Sequence, residues 1–324
     1  MPTYYIAWWN VENLFDVANT GGPDRPEHLQ KSLKSELKGW TQAVLNKKLK
    51  QLASVIERMN DGLGPDILGV CEIENQRVLD QLILTLNVPA RDYKVAHQNT
   101  KDMRGIDIAF IYDGRKFKTD KIFSHEVIKR SSTRDLFQVN FLTKSGNNDL
   151  IVVGNHWPSR MSGQYETEPY RIVAGETLAY WNLRIHENKG RDVPILVMGD
   201  FNDEPFHRSM TDYALSTRSR KKVSSSTVAP RLLNLMWPLM DTPSYYHNNF
   251  PSMLDQFLVS KGFLAKSGAF SVVDQSVTVI QFDDMVKGKF KVPRRFGRPS
   301  KSGFDDEGFS DHFPIALKIK EKEN

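Results

Sequence analysis

Asp66-Ile67-Leu68-Gly69-Val70-Cys71-Glu72 is the stretch that decides the fold class. It follows Gly64-Pro65, runs through consecutive apolar residues and glycine without a polar alternation, and stops at a carboxylate. A short strand patterned this way is covered on both faces. Outward from it, strand-like segments recur at residues 3–11, 106–112, 136–142, 150–155, 193–199, 255–260, 270–273, 277–282 and 313–319. The first of these is rich in aromatic and β-branched side chains. Between them lie helical patterns. Val44, Leu45, Leu49, Leu52, Val55, Ile56 and Met59 fall on one face of a helix over 41–59, with Thr41 as its N-cap. Asn75 caps a second helix running to residue 86, and 169–187 form a third, with Pro169 in its first turn.

Residues 19–26 turn to Gly, Pro and Asp and read as a loop; 216–227, polar, Ser-rich and basic, read as an exposed loop. No internal repeat or linker interrupts the chain. Strands reach both ends, and polar candidates are scattered from Asn10 to His312, so residues 1–324 are expected to form a single domain. The mix of hairpin-like and crossover segments predicts sheet packed on sheet with helices outside.

Composition narrows the function classes. With 324 residues, 40% hydrophobic and 26% charged, the chain can bury a sizeable core. It contains no apolar run long enough to cross a bilayer. Met1-Pro2-Thr3 leads straight into a strand without the pattern of a signal peptide, so a cytoplasmic location is expected, and nothing suggests more than a monomer. The single cysteine, Cys71, excludes an internal disulfide and a cysteine-based zinc site, and its apolar setting predicts a buried, inert thiol. A formal charge of +5 suits a polyanionic substrate without requiring one.

Polar residues sit where the apolar strands stop. Trp8-Trp9 leads to Asn10 and Glu12, which strict alternation would put on one strand face. Val152-Val153-Gly154-Asn155 ends in His156, and Ile195-Leu196-Val197-Met198-Gly199 ends in Asp200-Phe201-Asn202-Asp203. Ser310-Asp311-His312 precedes the last strand. Each has an ordinary explanation alone: a solvated glutamate, a hydrogen-bonded histidine, an Asx-turn closing a strand. Together they supply oxygen donors, amides and imidazoles without cysteine, a set suited to a hard cation such as Mg²⁺ or Mn²⁺. In Gly199-Asp200-Phe201-Asn202, glycine would permit a tight strand exit that brings together a carboxylate able to deprotonate water and an amide able to hold an oxyanion.

Trp9-Asn10-Val11-Glu12-Asn13-Leu14-Phe15, Glu72-Ile73-Glu74-Asn75, Arg104-Gly105-Ile106-Asp107, Asn155-His156-Trp157-Pro158-Ser159-Arg160, Gly199-Asp200-Phe201-Asn202-Asp203 and Ser310-Asp311-His312-Phe313-Pro314 occur in this order. The joint set, spanning nearly the whole chain, resembles the endonuclease/exonuclease/phosphatase superfamily, and more narrowly its bacterial members with NVENLFD and NHWPSR. The resemblance implies a four-layer α/β sandwich of two mixed sheets face to face. It implies Glu72 as principal ligand of Mg²⁺ or Mn²⁺, Asn10 and Asp311 close to the ion, and Glu12 as an aid to a second or moving ion. Asp200 would align or deprotonate the attacking water, Asn202 would hold that water or a phosphoryl oxygen, and His156 and His312 would face the phosphate. Asp255 matches the acid that pairs with His312 and favours its protonated form. Arg104, Arg134 and Arg160 are further phosphate-binding candidates, each balanced against an ordinary surface ion pair. Asp107, inside an apolar strand, is expected to make a supporting hydrogen bond.

Substrate is less legible. Inositol polyphosphate phosphatases usually carry an arginine beside the aspartate matched by Asp255, after a Trp-Cys pair; Leu254-Asp255-Gln256 has neither. Residues 287–301 carry Lys287, Lys289, Lys291, Arg294, Arg295, Arg298 and Lys301 and no acid, and could line the site mouth or remain a solvated loop. A nuclease acting on DNA or RNA is favoured; a phosphatase or phosphodiesterase on a small molecule or lipid headgroup, and a non-catalytic nucleic-acid-binding module, remain open.

Overall fold

The computed structural model describes residues 1–17, 25, 27–130, 132–226 and 228–322; apart from Arg25, the loop expected at 19–26 lies outside the described residues. In chain order the elements begin with β1 (Thr3–Leu14), α1 (Glu27–Glu36), α2 (Gln42–Arg58), β2 (Ile67–Ile73) and α3 (Gln76–Thr85). Next come β3 (Tyr93–His97), β4 (Asp107–Asp113), β5 (Phe117–His125), β6 (Leu136–Thr143), β7 (Asp149–His156), α4 (Gln164–Lys189) and β8 (Ile195–Asp200). The rest are β9 (Ser216–Thr217), α5 (Arg220–Ser225), β10 (Leu232–Asn234), β11 (Tyr245–His247), β12 (Phe250–Ser252), β13 (Asp255–Val259), β14 (Phe270–Val272), β15 (Thr278–Val279), β16 (Val286–Lys287), β17 (Val292–Pro293) and β18 (Ile315–Glu321).

Two seven-stranded mixed sheets carry the fold, with orders β14-β18-β1-β2-β4-β3, where β15 also joins β18, and β5-β6-β7-β8-β13-β10-β9. Each has a parallel pair inside it, β1 with β2 and β7 with β8, flanked by antiparallel neighbours. Those pairs face each other, β1 and β2 lying against β8 and β4 against β7. Consequently β1, β2, β7 and β8 end at the same rim where antiparallel β13 and β18 begin. The expected sandwich is the observed one.

Burial on both faces of β4, β8 and residues 67–71 of β2 explains their unbroken apolar runs. Thr41 and Asn75 cap α2 and α3 as their side chains predict, accepting from the N–H groups of Val44 and Val78. Helix α4 begins earlier than expected, so Pro169 lies inside it and not in its first turn. Its missing N–H leaves the carbonyl of Tyr165 without the usual donor, a modest loss because Tyr165 is exposed to water. The stretch expected as a loop at 216–227 holds β9 and α5, with Ser216 and Val223 buried. Strands β3 and β5, helix α1 and the two small hairpins β11–β12 and β16–β17 carried too little periodicity to be read from sequence.

Gly199 works by space and not by torsion. Its φ is not positive; a Cβ there would lie 2.4 Å from the backbone carbonyl oxygen of Asn155, its neighbour on β7. The tight turn after β8 is made instead by Asn202, at φ 51°. Because backbone cannot yield cheaply, Gly199→Ala should lower stability by about 1–3 kcal/mol, read as a shift in the urea midpoint at unchanged slope. A midpoint equal to wild type would show that β7 and β8 can spread there.

Candidate active site

Strand ends deliver the side chains, and bulges aim them. The β1–β2 register slips between Asn10 and Leu14, and the β2–β4 register between Cys71 and Ile73. Glu12, Asn13 and Glu72 take positive φ values of 52°, 55° and 64° at these slips. Non-glycine residues avoid that region unless their surroundings hold them there, and a bulge re-aims the side chains beyond it. The result is a cleft of about 600 Å³ lined by Asn10, Glu72, Arg104, His156, Arg160, Asp200, Asn202, Asp311 and His312, among others.

Asp200 is buried at the centre of the cleft's polar wall. Its Oδ2 accepts from Asn10 Nδ2 at 3.1 Å and its Oδ1 from the N–H of Asn202 at 2.9 Å. The N–H of Glu12 donates to Asn10 Oδ1 at 3.1 Å, so the amide orientation is fixed from both ends. Burial pushes Asp200 up to about 7; the charge of His312 opposes the shift and Asp255 adds to it. Asn202 Nδ2 donates to the carbonyl of Trp157 at 3.0 Å, which sets the amide beside the cleft.

His312 lies between two acids, Nδ1 2.7 Å from Asp255 Oδ2 and Nε2 3.8 Å from Asp200 Oδ2. Burial disfavours its charge, but Asp255 and Asp200 outweigh burial and raise its pKa to about 10. Trp8 Nε1 donates to the other oxygen of Asp255 at 3.0 Å, and Trp9 Nε1 to the carbonyl of His312 at 2.9 Å. Tyr245 packs on the imidazole, ring centroids 4.6 Å apart. His156 behaves oppositely. Burial, with the nearby charges of Arg134, Arg104 and His312, drives its pKa well below the usual imidazole value. Its Nδ1 is buried without a partner among the described residues, while Nε2 lies 3.7 Å from Glu72 Oε1 and 3.8 Å from Asp200 Oδ2.

Glu72 offers a free oxygen. Oε2 accepts from the N–H of Asn13 at 3.0 Å, whereas among the described residues the nearest nitrogens to Oε1 on basic side chains are those of His156 at 3.7 Å and Arg104 at 3.8 Å, beyond hydrogen-bond reach. Asp311 is part-exposed in the same cleft. These are hard oxygen donors, and they fit a small divalent cation. Asp200, Asp255 and His312 also bring possible ligand atoms within 4.8 Å of one another. Within that cluster the one hydrogen bond is between Asp255 and Nδ1 of His312, while Nε2 of the ring and Asp200 face the cleft 3.8 Å apart.

The other expected residues divide between the cleft and its surroundings. Glu12 is buried and does not line the cleft: the bulge breaks the alternation that would have put it beside Asn10. Arg134 lines a neighbouring groove, its guanidinium donating to Asp102 at 3.3 Å and to the carbonyl of Trp157 at 3.0 Å. Arg160 lines the cleft while donating to the carbonyl of Asn202 at 2.5 Å and to Asp203 at 3.2 Å. Arg104 is half-exposed and lines both spaces. Asp107 is held by His97 at 3.1 Å and by Thr100, a supporting role. Cys71 is buried, its thiol pushed well up by burial. Sequence reasoning missed Trp8, Asn13, Tyr245 and Arg295 as site residues; Arg295 had a signal as one of the cations of the 287–301 run, and Asn13 as part of the motif over residues 9–15.

Paired sheets with carboxylates, amides and oppositely shifted imidazoles at one rim define a DNase-I-like α/β sandwich. Residues 5–321 match the model of the Endonuclease/Exonuclease/phosphatase family, and the chain belongs to that family of phosphoesterase hydrolases. A family protein from Bacteroides thetaiotaomicron superposes with TM-score 0.58 at 14% identity, covering 99% of both chains. The mannosyl-6-phosphatase of the same organism gives 0.56 at 16% identity, covering 98% of this chain and 99% of its own. The human Nocturnin catalytic domain, with bound sulfate anion, gives 0.53 at 16% identity, covering 99% and 95%. At these identities the likeness speaks for the fold. Among curated proteins none matches.

The His312 shift can be checked by NMR of the imidazole in metal-free protein. The ring should stay protonated through neutral pH and lose its proton as pH climbs toward about 10. In Asp255→Asn, with burial less opposed, it should titrate far lower. A wild-type ring already neutral at pH 8 would contradict a His312 held protonated by its flanking acids.

Proposed function

We propose that this protein, with residues 1–324 acting as one domain, is a divalent-metal-dependent phosphodiesterase whose substrate is nucleic acid. The observation that carries the proposal is the meeting in one cleft of the buried carboxylate of Asp200, held by Asn10 and Asn202, the imidazole of His312, held by Asp255, and the oxygen donors of Glu72 and Asp311. Glu72 would hold the cation, with Asn10 and Asp311 beside it; when bound it would act as a Lewis acid on a phosphoryl oxygen. Asp200 takes a proton from the attacking water as its oxygen bonds to phosphorus in line with the departing ester oxygen. Protonated His312 donates Nε2–H to a non-bridging oxygen, and Asp255 keeps the ring oriented and charged through Nδ1. His156, neutral, adds a dipole on the same side. Asn202 has a second Nδ2 hydrogen to offer the water or a phosphoryl oxygen.

Nucleic acid is favoured by length and charge. The cleft continues into a groove of about 540 Å³ through shared residues Asn13, Arg104, Ser159, Met161 and Arg298, and that groove adds Lys129, Arg134 and Tyr170. Its cations, Arg104, Lys129, Arg134 and Arg298, outnumber its acids, Glu36 and Asp102, which pair with Arg298 and Arg134, and this lining with the ring of Tyr170 suits a polyphosphate backbone with bases more than one isolated ester. No helix among the described residues is long and apolar enough to cross a membrane. Since one structural neighbour is a mannosyl-6-phosphatase, small phosphate esters are the second class to assay.

Supercoiled plasmid incubated with Mg²⁺ or Mn²⁺ should be nicked, and EDTA should abolish the nicking. Asp200→Ala should reduce the rate by roughly 10²–10⁴-fold, the usual worth of a general base. His312→Ala should cost on the order of 10²–10³-fold. Intact plasmid beside turnover of a small phosphate ester would move the substrate to the second class; turnover of neither would sink the enzyme proposal.

A further inference from the structure

The bulge that removes Glu12 from the cleft gives its carboxylate a different occupation. Arg295 donates to Oε1 twice, from Nε at 2.8 Å and from Nη2 at 2.5 Å. The N–H groups of Phe296 and Gly297 donate to Oε2 at 3.1 Å and 3.3 Å. A carboxylate has about four lone-pair positions, and these four donors fill them. No lone pair is left for a metal.

The loop that supplies the donors is itself fixed. Phe296 is buried, edge-on to Trp40 and Phe304 at 6.1 Å and 5.5 Å, with Lys48 Nζ 5.0 Å from its centroid. Lys48, also buried, donates to the carbonyl of Phe309 at 2.5 Å and so ties the chain on the other side of this loop. The N–H of Arg295 donates to the carbonyl of Pro293 at 3.1 Å.

Arg295 is nonetheless 47% exposed, lines the cleft, and has Nη2 3.9 Å from Asp311 Oδ2. Among the described residues its Nη1 has no hydrogen-bond partner, so part of the guanidinium fork is uncommitted. A fork fixed by a buried acid at one edge and open at the other suits bidentate capture of phosphoryl oxygens, with little ordering cost on binding.

Resting on the phosphoesterase proposal above, we infer that Arg295 binds a phosphate oxygen of the substrate and that Glu12 is its positioning residue, not a metal ligand. Two kinds of measurement separate these roles. Calorimetric binding of Mn²⁺ alone should give Glu12→Gln a dissociation constant within roughly threefold of wild type, whereas a carboxylate that holds the ion, or that holds one of its ligands, would weaken it by about tenfold or more when lost. Binding of inorganic phosphate to the Mn²⁺-loaded protein should weaken roughly 10- to 100-fold in Arg295→Ala, as expected for charge-assisted hydrogen bonds, and by a smaller factor in Glu12→Gln. With a cleaved substrate, the same variants should raise KM more than they lower kcat, and added guanidinium should partly restore Arg295→Ala. Arg295→Lys, which keeps the charge but loses the fork, should remain impaired, and it serves if the alanine variant is unstable. Mn²⁺ affinity lost in Glu12→Gln, or phosphate affinity retained in Arg295→Ala, would overturn the inference. Wild-type protein inactive on every ester would overturn the enzyme proposal, while the two binding experiments would still decide the roles of Glu12 and Arg295.

Discussion

The contact between Asp255 and His312 crosses the seam of the sandwich. Asp255 opens β13 in one sheet; His312 precedes β18 in the other. Trp8, from β1, adds a second tie to the same carboxylate, and Trp9 fastens the backbone of His312. Burying an ion costs several kcal/mol, and only well-made partners offset it; removing one member of such a pair typically costs about 3–5 kcal/mol. Here Asp255 and His312 stand at or beside the ends of strands, and the two indoles reach them from the middle of β1. The relation between the sheets and the protonation of the site therefore rest on one set of contacts.

That arrangement separates three titrations in a small volume. Asp200 rises because it is buried, His312 because two acids flank it, and His156 falls because burial acts with three neighbouring cations. Environments that push neighbouring titrations apart give similar groups different roles. The backbone contributes too: four non-glycine residues at this rim, Glu12, Asn13, Glu72 and Asn202, sit at positive φ. Packed strands on either side hold them there, as expected where a rigid scaffold stores local strain.

How much of this is legible in the sequence depends on the kind of signal. Strands β2, β4, β7 and β8 are covered on both faces and announce themselves as apolar runs, and the polar residue ending the runs of β2, β7 and β8 marks the rim, whereas antiparallel β4 starts there and ends at the far side. Edge strand β5 alternates weakly and has several exposed residues, so its local sequence carries little signal. The site residues are recognisable because strands converge on them; their connections are not. Nothing local predicts that Trp8 reaches Asp255, 247 positions away, or that Arg295 reaches Glu12 across 283. Glu12 is the sharpest instance. Alternation puts it beside Asn10, and a single bulge, invisible to a period-two pattern, turns it away.

The same bulge sets the charge of the rim. Had β1 kept its alternation, a fourth carboxylate would stand beside Glu72, Asp200 and Asp311. Instead those three acids share the cleft with Arg104, Arg160, Arg295 and Arg298. Moving the acid beneath the surface and using it to hold a guanidinium replaces a negative group at the rim with a positive one. The exchange leaves enough oxygen donors for a small cation while giving the approach to them the opposite sign. The proposed reaction asks one rim both to hold a cation and to admit a polyanion, two demands that a rim of carboxylates alone would set against each other.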